Sequence, residues 1–491
     1  MGTFSNFAIS FSIISVLAGA ITTYWLGMLA GGPLVITLGW VIVGFFALCV
    51  GASMGEICSA YPTAGGLYFW SAKLAKRNGP RWAWFTGWFN LIGQIGVIAS
   101  VDFALANFVL YSAQLLGWDS LRATPKTLFG IYLLMLLIHG LLNTFNVNLV
   151  KMMGDISVWW HVVGVLVIVG ALAFAGKNGQ GYGTIFDFKN ATGWSGPLAK
   201  PYVFLLGLLL AQYTITGFDA SAHVSEETVG AATNAPKAIL RAIYISAIAA
   251  LIMNVVMTAA IPKGSYDAIS AKGILAGPAV FTAALTGFLG KLLVIISTVG
   301  QFFCGLASVT ANSRMVYAFS RDKGLPGHQL WHKINPKTRT PTNSVWLGIV
   351  LSAIVGLLTL KQFSGVPIAF FAMTGICVVG LYISYVIPIY LRLTNPDFAP
   401  GPWNLGTRSK VIGWTAVCYV AVIAVLFAAP VFYPVWNKGL NFNFTAPILI
   451  GSAILVALWW AVSAKNWFTG PKVQGSKEEL LAIEKELSSI I

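Results

Sequence analysis

The segment Leu208 to Thr228, LLLAQYTITGFDASAHVSEET, opens as an apolar helix and then places Gly217, the carboxyl of Asp219 and the hydroxyl of Ser221 at alternate positions. An ionisable side chain inside an apolar span is a functional candidate, because burying its charge is costly. An Asp at such a place also serves to accept the orphan N–H groups of a half-helix that begins there. Both roles stand open. Glycine with short polar neighbours ends the helical ladder, and backbone that leaves its ladder at membrane depth is tolerated only where protein or a water-filled cavity satisfies the freed groups. The chemistry on offer is hydrogen bonding to a small polar solute. A second interrupted run lies near the N-terminus, where Ser12 to Gly19 in FSIISVLAGA sets two serines, a glycine and an alanine inside an apolar segment.

Other polar residues fall in apolar runs. Asn90 and Gln94 in WFNLIGQIG stand at i and i+4, on one helix face. Gln94 is about 18 Å along a helix from Trp82, near a bilayer midplane, where it serves either as a solute contact or as packing glue between helices. Glu56, Glu226, Glu227 and Arg314 stand toward the inner ends of their runs; an ion pair among them would close an exit and break for release. Bond-making chemistry finds no support. The five histidines and fifteen acids are scattered, with no HExxH, Cys–His cluster or triad signature, and no GxxxxGK[ST] loop occurs. Cys49, Cys58, Cys304, Cys377 and Cys418 sit in apolar segments at no metal-like spacing and read as packing residues. Neither a metal nor a cofactor is expected.

The positioning elements follow from composition. Of 491 residues, 57% are hydrophobic and 9% charged, against about 25% charged in an average soluble domain. This is the profile of an all-α polytopic membrane protein. Its formal charge of +15 belongs to no dense basic segment of a soluble fold, so nucleic acid is not an expected partner. Apolar runs near the ~20 residues a bilayer needs give twelve spans: Thr3–Ala30, Gly32–Ser59, Trp82–Leu110, Thr127–Asn146, Ser157–Ala175, Pro201–His223, Ala238–Ile261, Gly290–Phe319, Asn343–Leu360, Pro367–Leu391, Val411–Tyr433 and Phe444–Trp467. The interrupted runs are the first and the sixth. Two interrupted helices in corresponding positions of two halves are the best sequence pointer to a transporter's binding site.

An even count puts both termini on one side. Most of the 30 basic residues, among them Lys73, Lys151, Arg321, Lys333 and Arg392, share that side, which the positive-inside rule makes cytoplasmic. Lys177 to Lys200 and Lys263 to Gly287 are then external, the second long enough for a short helix that lids the outer face. Arg321 to Pro341 is a basic cytoplasmic connector. Lys477 to Ile491 spaces its apolar residues as an amphipathic helix lying on the cytoplasmic face. No cleavable signal is visible, and the chain starts almost at its first span, so a preceding cytoplasmic segment is to be expected.

Three long motifs, GEICSAYPTAGGLYFW (Gly55 to Trp70), TGFDASAHVSEET (Thr216 to Thr228) and NSRMVYAFSRDKGLP (Asn312 to Pro326), resemble the amino acid, polyamine and organocation transporter superfamily, in particular its permeases for amino acids, GABA and choline. The resemblance runs over essentially the whole chain. It implies five helices and five inverted helices, with the first and sixth broken, followed by two more. On that plan residues 1–176 form the first repeat, 177–200 an external loop, 201–392 the second repeat, 393–468 the last two helices and 469–491 the tail.

The resemblance also implies a site. The unwound part of helix 1 corresponds to Ser15 through Ala20, and free N–H groups near Ala18, Gly19 and Ala20 are expected to hold a carboxylate; close helix packing is the other use of such small residues. In helix 6 the matching residues are Tyr213, Thr214, Thr216, Gly217, Phe218 and Asp219. Their carbonyls would accept from an ammonium, with Phe218 or Tyr213 closing over it or packing elsewhere. An amide at the Gln94 match would touch substrate, beside Asn90. His161, in SVWWHVVGVLVIVG, stands some 14 Å along a helix from Met152, near the break in helix 1. Sodium-independent relatives often carry a lysine at that match. Imidazole, with an ordinary pKa of about 6.5, changes charge near neutral pH, and would bridge helix 1 to Ser308, Thr310 and Ser313 of helix 8 when protonated. A neutral packing imidazole is the alternative.

The expected function is secondary transport of an amino acid or small amine across a membrane, the plasma membrane first, with a proton as co-substrate and the lipid bilayer as surroundings. An exchanger, or a sensor that binds without net flux, uses the same fold. The topology is directly testable: a cysteine replacing Lys189 should label from outside the cell and one replacing Lys333 should not, and the opposite pattern would reverse the orientation.

Overall fold

The computed structural model describes residues 2–63, 65–145, 147–175, 179–360, 368–436 and 442–471. The expected tail helix, Lys477 to Ile491, lies outside the described residues.

The first apolar run is a helix in pieces. Helix α1 (Thr3–Ile14) stops at Ser15, whose φ of 35° is left-handed; a five-residue π-helical turn, Val16–Ala20, follows, then α2 (Tyr24–Leu29). A non-glycine residue in that region ends a helix because its neighbours cannot continue the ladder. The chain continues through β1 (Ala30–Gly31), α3 (Pro33–Ala60), α4 (Gly66–Leu74), α5 (Gly79–Leu115), α6 (Pro125–Phe145) and α7 (Val147–Ala175). After β2 (Lys189–Asn190) the sixth run is also in pieces: α8 (Ala199–Gly207), α9 (Leu209–Thr214), an unwound stretch over 215–219, and α10 (Ala220–His223). Next come α11 (Ala231–Ala260), α12 (Tyr266–Ser270), α13 (Ala276–Ala284), α14 (Phe288–Arg321), α15 (His328–Trp331), α16 (Thr342–Gly356), α17 (Ile368–Thr394), α18 (Ser409–Leu426) and α19 (Thr445–Val462).

Among the described residues, ten helices are long and apolar enough to cross a membrane. They correspond to the predicted spans other than the first and sixth, the two broken runs. Some bounds differ from expectation. Helix α7 begins ten residues before Ser157, because VNLVKMMGDI continues the helix while exposing Lys151 and Met152. Helix α4 answers to no predicted element: its nine residues are too few for a span. The short helix expected in Lys263 to Gly287 is present as two, α12 and α13.

Helix α5 lies in the middle of the bundle, and its seam with α17 is made of glycine. A Cβ at Gly96 would stand 2.9 Å from the Cys377 amide nitrogen, one at Gly93 2.7 Å from that of Leu381, and one at Gly380 3.0 Å from the Gly93 Cα. Small residues let two backbones touch, which substitutes for the absent hydrophobic drive between helices in lipid. At the periphery of the bundle, α7, α18 and α19 turn Leu166, Val425, Leu455 and Val462 outward, all more than half exposed, as a lipid-facing surface requires. One end of the bundle carries the connector 321–341 and is called here the connector face. The other, the loop face, is strapped shut. There β1 pairs with β2, the Tyr266 hydroxyl donates to the Met28 carbonyl at 3.1 Å, and the Lys189 ammonium lies 3.8 Å from the Tyr266 ring centroid.

Because the Gly96 contact is backbone against backbone, no rotamer change relieves it. Gly96→Ala should lower thermal stability in detergent by about 1–3 kcal/mol, measured against Gly451→Ala, where a Cβ meets open space. Equal stability of the two variants would contradict the seam.

Candidate functional site

Both breaks are held by hydroxyls. In the first run, the Ser15 carbonyl accepts from the amides of Ala18 (3.0 Å) and Gly19 (2.8 Å), and Ser15 Oγ accepts from the Ala18 amide at 3.1 Å. The amides of Ala18 and Gly19, expected to be free for a carboxylate, are therefore engaged, because the left-handed Ser15 folds the chain back over them. Gly19 is in close contact with Thr214, with room for no Cβ: one would stand 2.8 Å from Thr214 Oγ1. Ala20 is buried within the same turn. Thr23 Oγ1 then ties the two runs together, donating to Gly19 O (2.7 Å) and Leu210 O (3.1 Å).

In the sixth run Thr214 and Thr216 return their hydroxyls to the carbonyls of Leu210 and Gln212. Gly217 turns the chain at a φ of 94°, and a Cβ there would meet Ile13 Cγ2 at 2.3 Å. Its amide donates to the Tyr385 hydroxyl at 3.3 Å. Asp219 does not cap α10 with its side chain. The carboxylate instead accepts from Tyr385 Oη (2.6 Å) and Asn90 Nδ2 (3.2 Å), and meets His223 Nε2 at 3.2 Å, while its carbonyl takes the amides of Ala222 and His223. A buried carboxylate with hydrogen-bonding partners on α5, α10 and α17 is satisfied in the manner such a group requires. Gln94 extends the cluster, its Nε2 donating to Asn90 Oδ1 at 3.0 Å. Its Oε1 has no hydrogen-bond partner among the described residues. Phe218 is not a lid: its ring lies 5.0 and 6.1 Å from those of Tyr385 and Tyr382, away from the cavity.

Between the breaks lies a cavity of ≈ 340 Å³, lined by Ala18, Gly19, Thr22, Tyr213, Thr214, Thr216, Gln301 and Cys304 among others. A second, of ≈ 240 Å³, shares Ile13 and Val97 with it and adds Gln94, Gly217, Asp219 and Ser308. Among the described residues neither is lined by Lys or Arg, and the Asp219 carboxylate is the one formal charge between them. Hydroxyls, amides and peptide groups of this kind suit a small zwitterion or amine. Toward the connector face a larger vestibule of ≈ 540 Å³ opens between α1, α7 and α14, with Lys151, Asp155 and Arg314 in its wall.

His161 stands at the first break. Its Nε2 is 2.6 Å from Ser15 Oγ and its Nδ1 2.7 Å from the Ser157 carbonyl. A carbonyl only accepts, so Nδ1 carries a proton. In the neutral ring Nε2 then accepts from the Ser15 hydroxyl. The expected partners on α14 are not there: Ser308 donates to Cys304 O, Thr310 to Asn143 Oδ1 and Ser313 to Thr310 O. Helix α14 reaches the break one to three turns earlier, through Ser297 to Leu17 O (2.8 Å), Gln301 to Thr22 Oγ1 (2.5 Å) and Cys304 to Ile13 O (3.2 Å). Their i, i+4, i+7 spacing, one polar stripe on an apolar helix, is a signal readable from sequence.

The expected gate residues divide. Arg314 Nε is 3.7 Å from Glu227 Oε1, at the vestibule rim. Glu56 pairs elsewhere, with Arg392 at 2.8 Å and with the Ser409 hydroxyl and Leu405 amide, because the chain after α17 folds over the end of α3. Glu226 is exposed beside Glu227. Sequence reading also left out a buried pair, Asp102 on α5 and His139 on α6, whose Oδ1 and Nδ1 approach to 2.8 Å without hydrogen-bond alignment.

Residues 1–457 match the amino acid permease family. The chain is 42% identical to Amino-acid permease BAT1 of Arabidopsis thaliana, over 96% of this chain and 93% of that protein. It is 40% identical to the Amino-acid permease BAT1 homolog of Oryza sativa subsp. japonica (96% and 92% covered) and 28% to a Putative polyamine transporter of Candida albicans (98% and 87%). With two broken helices around a polar cavity and a family match across nearly its full length, the chain belongs to the amino acid permease family, within the amino acid, polyamine and organocation superfamily, and its function is transport of amino acids or amines in a membrane.

Proposed function

We propose that the protein is a secondary transporter of small amino acids or related amines, GABA included, that works by alternating access and is driven by protons. The observation that carries this reading is the pair of helix breaks, at Ser15–Ala20 and 215–219, facing one cavity with no formal cation in its wall. Taking the two broken runs as spans gives twelve, five plus five inverted and two more, with both termini and the connector face in the cytoplasm of a plasma-membrane protein. The strapped loop face and the open vestibule then describe an inward-leaning state. Choline ranks behind zwitterions, since Tyr213 is the one aromatic side chain in the cavity walls and a quaternary ammonium wants several ring faces.

The proton enters at His161. Neutral, the imidazole accepts from Ser15, and Ser15 Oγ accepts from Ala18, so the bent turn is closed on itself. A proton on Nε2 makes both ring nitrogens donors. The Ser15 hydroxyl then accepts from Nε2 and must turn its own hydrogen to another acceptor, so protonation re-orients the link between α7 and the first break. Proton uptake is thereby tied to the geometry of the turn that carries Ala18 and Gly19.

A flux screen in proteoliposomes, with amino acids, GABA, choline and polyamines, tests the reading. Net uptake driven by an inward proton gradient is expected, and binding without flux would make the protein a sensor. Gly217→Val should abolish binding: at φ 94° a β-branched residue costs about 1–3 kcal/mol of strain before its contact with Ile13. Asp219→Asn and Gln94→Ala should cut flux about tenfold without loss of folded protein. His161→Gln should flatten the rise of uptake as external pH falls from 8 to 6, sparing substrate binding. Full pH dependence in that variant would remove His161 from the coupling.

A further inference from the structure

The vestibule and the substrate cavities share no lining residue, and an apolar cluster lies between them. Ile13, Ala220 and Ala311 form a small buried cluster of their own, with Ile9 and Ala307 packed against it. The first three line the cavity that holds Asp219, while Ile9 and Ala307 line the vestibule. Only Ile13 also lines the cavity between the breaks. The partition is thus two side chains thick, with Ile9 and Ala307 on the vestibule side, and in the layer that faces the cavities Ile13 supplies most of the bulk, since its neighbours there are alanines.

We propose that Ile13 is the inner gate of this carrier, the side chain that a substrate must displace to pass between its site and the connector face. The Arg314–Glu227 pair, at the vestibule rim, is a second and outer closure. Three further contacts fit Ile13 for the role. It is the penultimate residue of α1, two before the left-handed Ser15, so a change at the break moves it first. Its methyl fills the space that Gly217 leaves by having no Cβ, which couples it to the other break. Its carbonyl takes the Cys304 thiol at 3.2 Å, which couples it to α14. An apolar side chain suits a gate against solutes that are zwitterionic, because closure needs no partner charge and leaves no buried ion when it opens.

This inference rests on the alternating-access reading, but its test does not need flux. Cys304 lines the cavity behind Ile13 and serves as reporter, once Cys49, Cys58, Cys377 and Cys418 are replaced by alanine. The probe is trimethylammonium-ethyl methanethiosulfonate, a membrane-impermeant cation, applied to vesicles whose connector face is outward. Ile13→Ala should speed Cys304 modification about tenfold, and Ile13→Val by about two- to threefold. Ala311→Val, which thickens the same layer, should slow it. Phe7→Ala, on α1 but outside the layer, should leave the rate unchanged. The gate is overturned if Ile13→Ala and Ile13→Val label at the parent rate, or if Phe7→Ala accelerates labelling as much as they do. Should Ile13→Ala not fold, the Ile13→Val and Ala311→Val pair still decides, in opposite directions. Absence of amino acid flux in the parent protein with the labelling series intact would overturn the transport reading and leave the partition standing.

Discussion

Everything in this site depends on one constraint: peptide groups freed from a helix inside a membrane must find partners within the protein. The two breaks meet it with side-chain hydroxyls. Ser15 closes the first turn on itself, and Ser10 and Ser221 stand 2.7 Å apart across α1 and α10, with Ser10 also accepting from the Ser221 amide and donating to the Phe218 carbonyl. Asn6 adds bonds to Ser221 O and Thr228 Oγ1. The inner pieces of the two broken helices are thus stitched to each other, and short hydroxyl side chains are the stitching because they satisfy a peptide group at close range.

The same constraint governs charge. The buried carboxylates do not stand alone: Asp219 has Tyr385, Asn90 and His223, Asp102 has His139, Glu56 has Arg392, and Asp322 has Tyr68 and Arg321. Breaking such a pair strands an ion that lipid cannot solvate. The two in the middle of the bundle, Asp219 and Asp102, have histidine partners, whereas the permanent cation Arg392 stands near the connector end of α17.

Much of the architecture was legible in the residues. Gly217 and the serines of the first run pointed to both breaks, since glycine and short polar side chains interrupt an otherwise apolar run. Ten long helices followed from run length alone. Partners were less legible, because a helix shows its neighbours through only one face and the sequence does not say which turn is level with which. His161 was expected near the break in the first run and stands there, 2.6 Å from Ser15 Oγ, whereas Ser308, Thr310 and Ser313 of α14 bond elsewhere and Ser297, Gln301 and Cys304 reach the first run. Glu56 was paired with the wrong arginine for a related reason, as the loop after α17 that carries its partners has no periodicity to read. Of the two uses expected for Phe218, closing over a substrate or packing, the structure shows packing, its ring tilted against those of Tyr382 and Tyr385.

The glycine seam between α5 and α17 has a mechanical meaning. Side chains that interdigitate can slide by changing rotamer, whereas backbones in contact have no such slack. Helices α5 and α17, with Asn90, Gln94, Ser384 and Tyr385 fixed upon them, form one stiff plate. Compliance is left to the elements that touch this plate through hydroxyls and single methyl groups, namely the pieces of the two broken helices. The substrate's surroundings are in this sense half anvil and half hinge, and the anvil carries the groups that hold Asp219.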